Sequence, residues 1–151
     1  MGEILIAALR RKFKAIEGAV AHSPEDFMHE FGDVVSALLY SVLFVPDFIE
    51  VEHSVLLTFG REDQAQKFVK AKNNTKMTLS ALESSFNFVE VPYLFSNRDS
   101  TDDEDKLLSE TIAEAWRGRL KTLYPTRVFV VSPIGPEITG SVVGVHFFEL
   151  R

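Results

Sequence analysis

The twelve residues from Val34 to Val45 form the most apolar stretch of the chain, broken by Ser36 and Ser41. No other segment limits the possible folds as much. A membrane-spanning helix needs about 20 apolar residues, so the stretch is too short to cross a bilayer and predicts a helix buried in a folded protein. The helix begins upstream, where Ser23 supplies an N-cap, Pro24 the first helical position and Glu25 and Asp26 the acids of the first turn. Phe27, Phe31, Val34, Leu38 and Val42 then form one inner stripe, widened by Leu39, Leu43 and Phe44, and Pro46-Asp47 ends it.

The flanking segments alternate between helical and strand periodicity. Ile6, Leu9, Phe13, Ile16 and Val20 recur at steps of three and four, which predicts a first amphipathic helix from Glu3 onward. Its basic cluster, Arg10, Arg11, Lys12 and Lys14, is spread around that helix and reads as a solvated face rather than a nucleic-acid contact. Phe48 to Thr58 alternates in steps of two, with Ile49, Val51, Val55 and Leu57 on one parity and Glu50, Glu52 and Ser54 on the other, which predicts one long strand. Arg61 to Lys72 reads as a helix stopped by Asn73-Asn74, and Lys76 to Ser85 leans towards a helical turn capped by Thr78. Phe86 to Val91 has the two-sided apolar pattern of a covered strand. Thr101 and Glu104 form a capping box for a helix from Asp102 to about Leu123. Arg127–Ser132 and Val142–Leu150 read as two strands of a C-terminal β-hairpin.

The resulting order, ααβαβαββ, predicts an α/β (or α+β) fold. Its three layers would hold a mixed, mostly parallel sheet of about four strands in one globular domain spanning residues 1–151. A chain of 151 residues with 46% hydrophobic and 25% charged residues has the composition of a globular domain. Its 13 Phe against 3 Tyr and 1 Trp favour dry packing, in a core or against another copy.

Composition also removes whole classes of function. With 16 basic and 22 acidic residues the net charge is −6, which argues against a nucleic-acid partner. The absence of cysteine removes disulfides, thiolate catalysis and thiolate metal sites. Near the N-terminus the apolar run Ile4–Leu9 precedes the basic cluster, the reverse of an export signal, so a cytoplasmic protein that does not enter membranes is expected. Phosphate-loop, dinucleotide, zinc-protease, nucleophile-elbow and EF-hand motifs are missing, and no cofactor or metal is predicted.

The residues that remain support three weak sites. Glu50, Glu52 and His53 on the first strand, Glu90 on the next and His146 on the last are the carboxylates and imidazoles that acid–base chemistry would use at the carboxyl ends of a parallel sheet. Glu50 and Glu52 would share one face, while Arg127 is a mate for Glu90 if that acid is buried. Asp102, Asp103, Glu104 and Asp105 read first as acids satisfying a helix N-terminus and second as a partner-docking patch. The loop from Ser132 to Ser141 would offer Gly135, Glu137, Thr139 and Gly140 to a ligand, with a structural turn the simpler reading. The expectation with most support is a non-enzymatic protein-binding or adaptor module, of the kind formed by small acidic regulatory or toxin-neutralising partners. The alternatives are a small enzyme or ligand-binding domain and a structural homodimer, so the partner is another protein or a second copy.

Overall fold

The computed structural model describes residues 2–14, 23–59, 63–95, 99–135 and 143–151. The fold mixes helices and strands as expected, but its sheets differ from the expectation. Among the described residues the order is α1 (Gly2–Lys14), α2 (Pro24–Phe31), α3 (Val34–Phe44), β1 (Phe48–Val51), β2 (Ser54–Leu57), α4 (Gln64–Asn74), α5 (Leu79–Phe86), β3 (Val89–Glu90), a 3-10 turn at Val91–Tyr93, α6 (Asp102–Leu123), β4 (Phe129–Ile134) and β5 (Gly144–Glu149). Every strand pair is antiparallel, in a two-stranded sheet β1-β2 and a three-stranded sheet β3-β5-β4. The predicted mostly parallel sheet sandwiched in three layers is therefore corrected. It required a helical crossover after an unbroken first strand, and that strand turns back on itself.

The turn falls at Glu52 and His53, whose φ values of 47° and 70° put both residues in the left-handed region. A two-residue hairpin turn whose twist matches its strands needs positive φ at both central positions. Asn-Gly ordinarily advertises such a turn, and here two non-glycine residues make it. The fold then reverses the parity argument. All four residues of β2 are buried, because Val55 and Leu57 face one core while Leu56 faces another.

The first core joins α6 to the three-stranded sheet, with Trp116, Ile112 and Leu120 against Val131, Val145 and Phe147. Phe147 is its hub, since the rings of Phe48, Trp116 and Phe129 all stand steeply to its plane at 5.4, 6.0 and 6.1 Å. The second core is smaller and joins Leu56, Phe68 and Leu82, with Phe86 edge-on to Phe68 at 5.2 Å. Asn87, fully buried, ties the two together. Its Oδ1 accepts from the Leu57 N–H at 2.9 Å, and its Nδ2 donates to the carbonyls of Val55 at 3.0 Å and Phe147 at 3.3 Å. An apolar residue there would strand three buried backbone groups, at about 1–3 kcal/mol for each unsatisfied one.

β3 pairs with β5 over two residues only. Beyond them α5 lies along the open edge of β5, where Ser80 Oγ donates to the Glu149 carbonyl at 3.4 Å and the Glu83 carboxylate accepts the Glu149 N–H at 3.0 Å. The expected strand Phe86–Val91 is shortened accordingly, because Asn87 has left the extended line to satisfy β2 and Pro92 sits in the 3-10 turn.

The single helix expected from Ser23 to the stop at Pro46-Asp47 is two helices. Gly32 and Asp33 are both extended, with ψ of 149° and 152°, and the Asp33 side chain caps α3 by accepting from the Ser36 N–H at 2.9 Å. A side chain at Gly32 would collide with the Met28 carbonyl, so the break needs glycine. α5 begins where Thr78 caps it, with Thr78 Oγ1 accepting from Ala81 at 3.3 Å. The helix Asp102–Leu123 and its Thr101/Glu104 capping box are as the sequence predicts. So is the C-terminal hairpin, which pairs Phe129 with Glu149 through Ile134 with Gly144. Among the described residues no helix is long and apolar enough to cross a membrane.

Candidate functional site

The carboxylates and histidines expected to converge are dispersed. Glu52 and His53 occupy the β1–β2 turn, so Glu50 and Glu52 do not share a strand face, which corrects the paired-carboxylate expectation. Glu52 accepts Lys72 Nζ at 2.8 Å. Glu50 lies 3.4 Å from Arg127 Nη1, which makes that arginine the mate of Glu50 rather than of Glu90. Glu90 is half-buried on β3 opposite Gly144, and among the described residues it joins no ion pair. Nor do the described residues contain a group of three or more His, Asp or Glu side chains placed to hold a metal ion.

Arg127 instead centres a network on the last strand. Its Nε and Nη2 hold the two oxygens of Glu149 at 2.9 and 2.5 Å, and Nη2 also donates to the His53 carbonyl at 2.6 Å. Arg151 meets the same carbonyl at 3.1 Å, Glu149 at 2.7 Å and Glu83 at 2.8 Å. Two arginines thus grip the left-handed turn by its backbone while neutralising Glu83, which is only 1% exposed. The Arg127 guanidinium lies over the rings of Tyr124 and Phe129, 5.4 and 5.5 Å from their centroids. Hydrogen bonds from Arg127 hold the Glu149 carboxyl below its usual range. Every charge in this network meets an opposite charge or a carbonyl, so it works as a clasp between the turn and β5.

Among the described residues of the predicted set, His146 alone forms a chemically suggestive pairing. Its Nδ1 is 2.5 Å from Ser84 Oγ on α5 and its Nε2 is 3.2 Å from Ser132 Oγ on β4. Burial pushes the imidazole below its usual pKa, which favours the neutral ring. A neutral imidazole accepts through one nitrogen and donates through the other, and the two hydroxyls match that arrangement in either tautomer. A hydroxyl beside a neutral imidazole is also how a nucleophile is activated. Here both ring nitrogens are taken by serines, and among the described residues no carboxylate orients the ring. The trio is a polar cross-link of α5, β5 and β4.

The acids at the start of α6 act on that helix and on α1. Glu104 completes the capping box and receives Arg11 Nη2 at 2.7 Å, while Arg11 also donates to the Asp99 carbonyl at 2.8 Å. Arg11 therefore holds the Glu104 carboxyl below its ordinary range. Asp102 and Asp103 are exposed and Asp105 is half-buried. Behind the Arg11–Glu104 pair lies a cavity of about 590 Å³ walled by α1, α6 and the segment after β3, with Ile4, Leu5, Leu107 and Leu108 on its sides and Tyr40 and Phe95 at its α3 end. Of the predicted ligand loop, Gly135 is half-buried at the end of β4, and Glu137, Thr139 and Gly140 lie outside the described residues, as do Ile16 and Val20 of the first helix.

The most unusual surface is one that the sequence assigns to the interior. α3, expected to be buried, has Leu43 as its only fully buried residue. Trp116 Nε1 donates to the Leu43 carbonyl at 2.7 Å, Phe44 packs against the first core and Tyr40 meets Phe95 at 6.0 Å. The opposite side is bare, with Val34 76% and Leu38 64% exposed and Val35, Leu39, Val42 and Val45 exposed beside them. On α2, Met28 and Phe31 are exposed as well. No charge interrupts α3 from Val34 to Phe44. Periodicity reveals that a helix has an apolar side but not how many sides a small core can cover, so the sequence read this helix as interior. No family model, curated protein or solved structure matches this chain.

Proposed function

We propose that this protein is a non-enzymatic protein-binding or adaptor-type module that docks a partner through the uncovered face of α3. One observation carries the reading, the row of exposed aliphatic side chains on a helix that lacks any charge over its whole length. A monomer typically leaves no contiguous apolar patch larger than about 300–600 Å², and larger ones mark interaction sites. Valines and leucines offer roughly 60–100 Å² each, so the six exposed aliphatic residues between Val34 and Val45 present on the order of 500 Å². That lies at the upper end of what a monomer exposes and is over half of the roughly 800 Å² that one partner contributes to a standard interface.

Rigidity supports the same reading. Asp33 caps the start of α3, and its carboxyl is held below the usual range by its hydrogen bonds to Ser36. At the other end the Trp116–Leu43 bond and the buried Leu43 side chain fasten the helix to α6. A helix capped at its start and anchored at its end presents its apolar side already formed, which lowers the ordering cost on binding. The dispersal of Glu50, Glu52, His53, Glu90 and His146 leaves the acid–base alternative without an assembled site.

Leu38→Glu places a charge at the centre of the face without touching a buried contact, and exposed substitutions of this kind change stability by about 0.5 kcal/mol or less. Tagged wild-type protein is expected to retain one stoichiometric protein partner from lysate, and the variant to lose it while keeping the wild-type circular dichroism spectrum. Equal retention by the two proteins contradicts the proposal.

A further inference from the structure

We infer that the partner seated on α3 is a second copy of this chain, packed helix against helix. The inference rests on the docking reading above and goes beyond it by naming the occupant. Val35, Leu38 and Val42 recur at intervals of three and four residues along α3, Val45 follows at its C-cap, and all four are exposed. That is the spacing with which one helix packs its seam along another, each side chain entering a hole formed by the facing helix. The helical seam is about 10 Å long, from the rise of 1.5 Å per residue, and Val34 and Leu39 flank it on either side. A two-fold pairing sets each patch against itself, so the patch must be compatible with its own charge. α3 passes that test because it has no charge to oppose its copy, whereas the chain as a whole, at −6, repels another copy through most other surfaces. Area is sufficient, since on the order of 500 Å² from each chain gives about 1,000 Å² in all, the lower bound for a specific interface.

Charge also separates this occupant from a different protein. Two chains of −6 repel at low salt, and screening removes that repulsion, so self-association tightens as salt rises; a basic partner held by attraction to this acidic chain would weaken instead. The test is sedimentation equilibrium of the untagged full chain from 1 to 100 μM at low and physiological salt. The expected result is a mass twice 17.0 kDa, a dissociation constant that falls when salt is added, and a constant at least 100-fold weaker for Leu38→Glu. Val128→Glu, a control at an exposed site beside β4, should leave the dimer unchanged. Leu38→Ser is a milder second variant should the glutamate perturb folding, and it too should weaken the dimer. A wild-type chain that sediments at 17.0 kDa throughout overturns the inference. If that monomer still loses a lysate partner on Leu38→Glu, the docking reading stands without the second copy; if capture is also unchanged, both fall.

Discussion

His146 shows how much one side chain's surroundings decide about its chemistry. The sequence places it on a strand among apolar neighbours, where the simplest reading is a half-buried polar residue with one partner and a base or ligand the alternative. The fold supplies Ser84 and Ser132, from positions 62 and 14 residues away, and makes it a neutral cross-link. Because burial lowers its pKa, the unfolded chain takes up a proton first as pH falls. The contribution of His146 is therefore fully present above the ordinary histidine value of about 6.5 and is lost as pH drops through the lower folded value. Urea midpoints between pH 8 and pH 5 should fall for the wild type and fall less for His146→Gln, with the other histidines acting as a common background. Parallel midpoints for the two proteins would contradict the assignment. Asn87 and Glu83 were equally hidden from sequence reasoning, for a related reason. Their partners are backbone groups of β2 and β5, and no side-chain pattern records where another strand's carbonyl will lie.

At the scale of the element, the legible features were those written in local chemistry. The Thr101/Glu104 capping box, the Thr78 cap and the C-terminal hairpin each depend on residues a few positions apart, and the fold has all three. The β1–β2 turn was invisible because Glu52 and His53 carry no turn signature, so alternation ran through them as though the strand continued. Holding two non-glycine residues in the left-handed region costs of order 1 kcal/mol each, and Arg127 and Arg151 offset that cost by binding the His53 carbonyl. His53→Gly keeps this carbonyl and removes the Cβ conflict, at the expense of greater freedom in the unfolded chain. The variant should be more stable by about 0.5 kcal/mol, read as a higher urea midpoint with an unchanged slope. A lower midpoint would mean that the imidazole itself supports the turn. The split between α2 and α3 had a usable signal in Gly32-Asp33, a residue without a Cβ followed by a strong N-cap, which the continuous apolar stripe masked.

For the whole molecule, composition forecast a dry, Phe-rich interior; among the described phenylalanines only Phe68 and Phe147 are fully buried, with Phe48 and Phe129 partly buried around Phe147. What composition does not convey is allocation. The two cores are filled by α4, α5, α6 and the five strands, together with the last turn of α3, and the rest of α3 is left to face outward. The central claim of the account is the proposal that this apolar face, on a chain with net charge −6, is where a second copy of the chain docks. The claim is most directly tested by the relaxation of methyl protons in the presence of a soluble paramagnetic agent, at protein concentrations where the chain carries out its association. Val128 and Leu150, exposed to a degree similar to Val35, Leu38 and Leu39, act as internal references on the same molecule. The account predicts that the α3 methyls are shielded well below those references in the wild type and relax as fast as the references in Leu38→Ser. Wild-type α3 methyls that relax as fast as those of Val128 and Leu150 would show the face to be bare and contradict the claim.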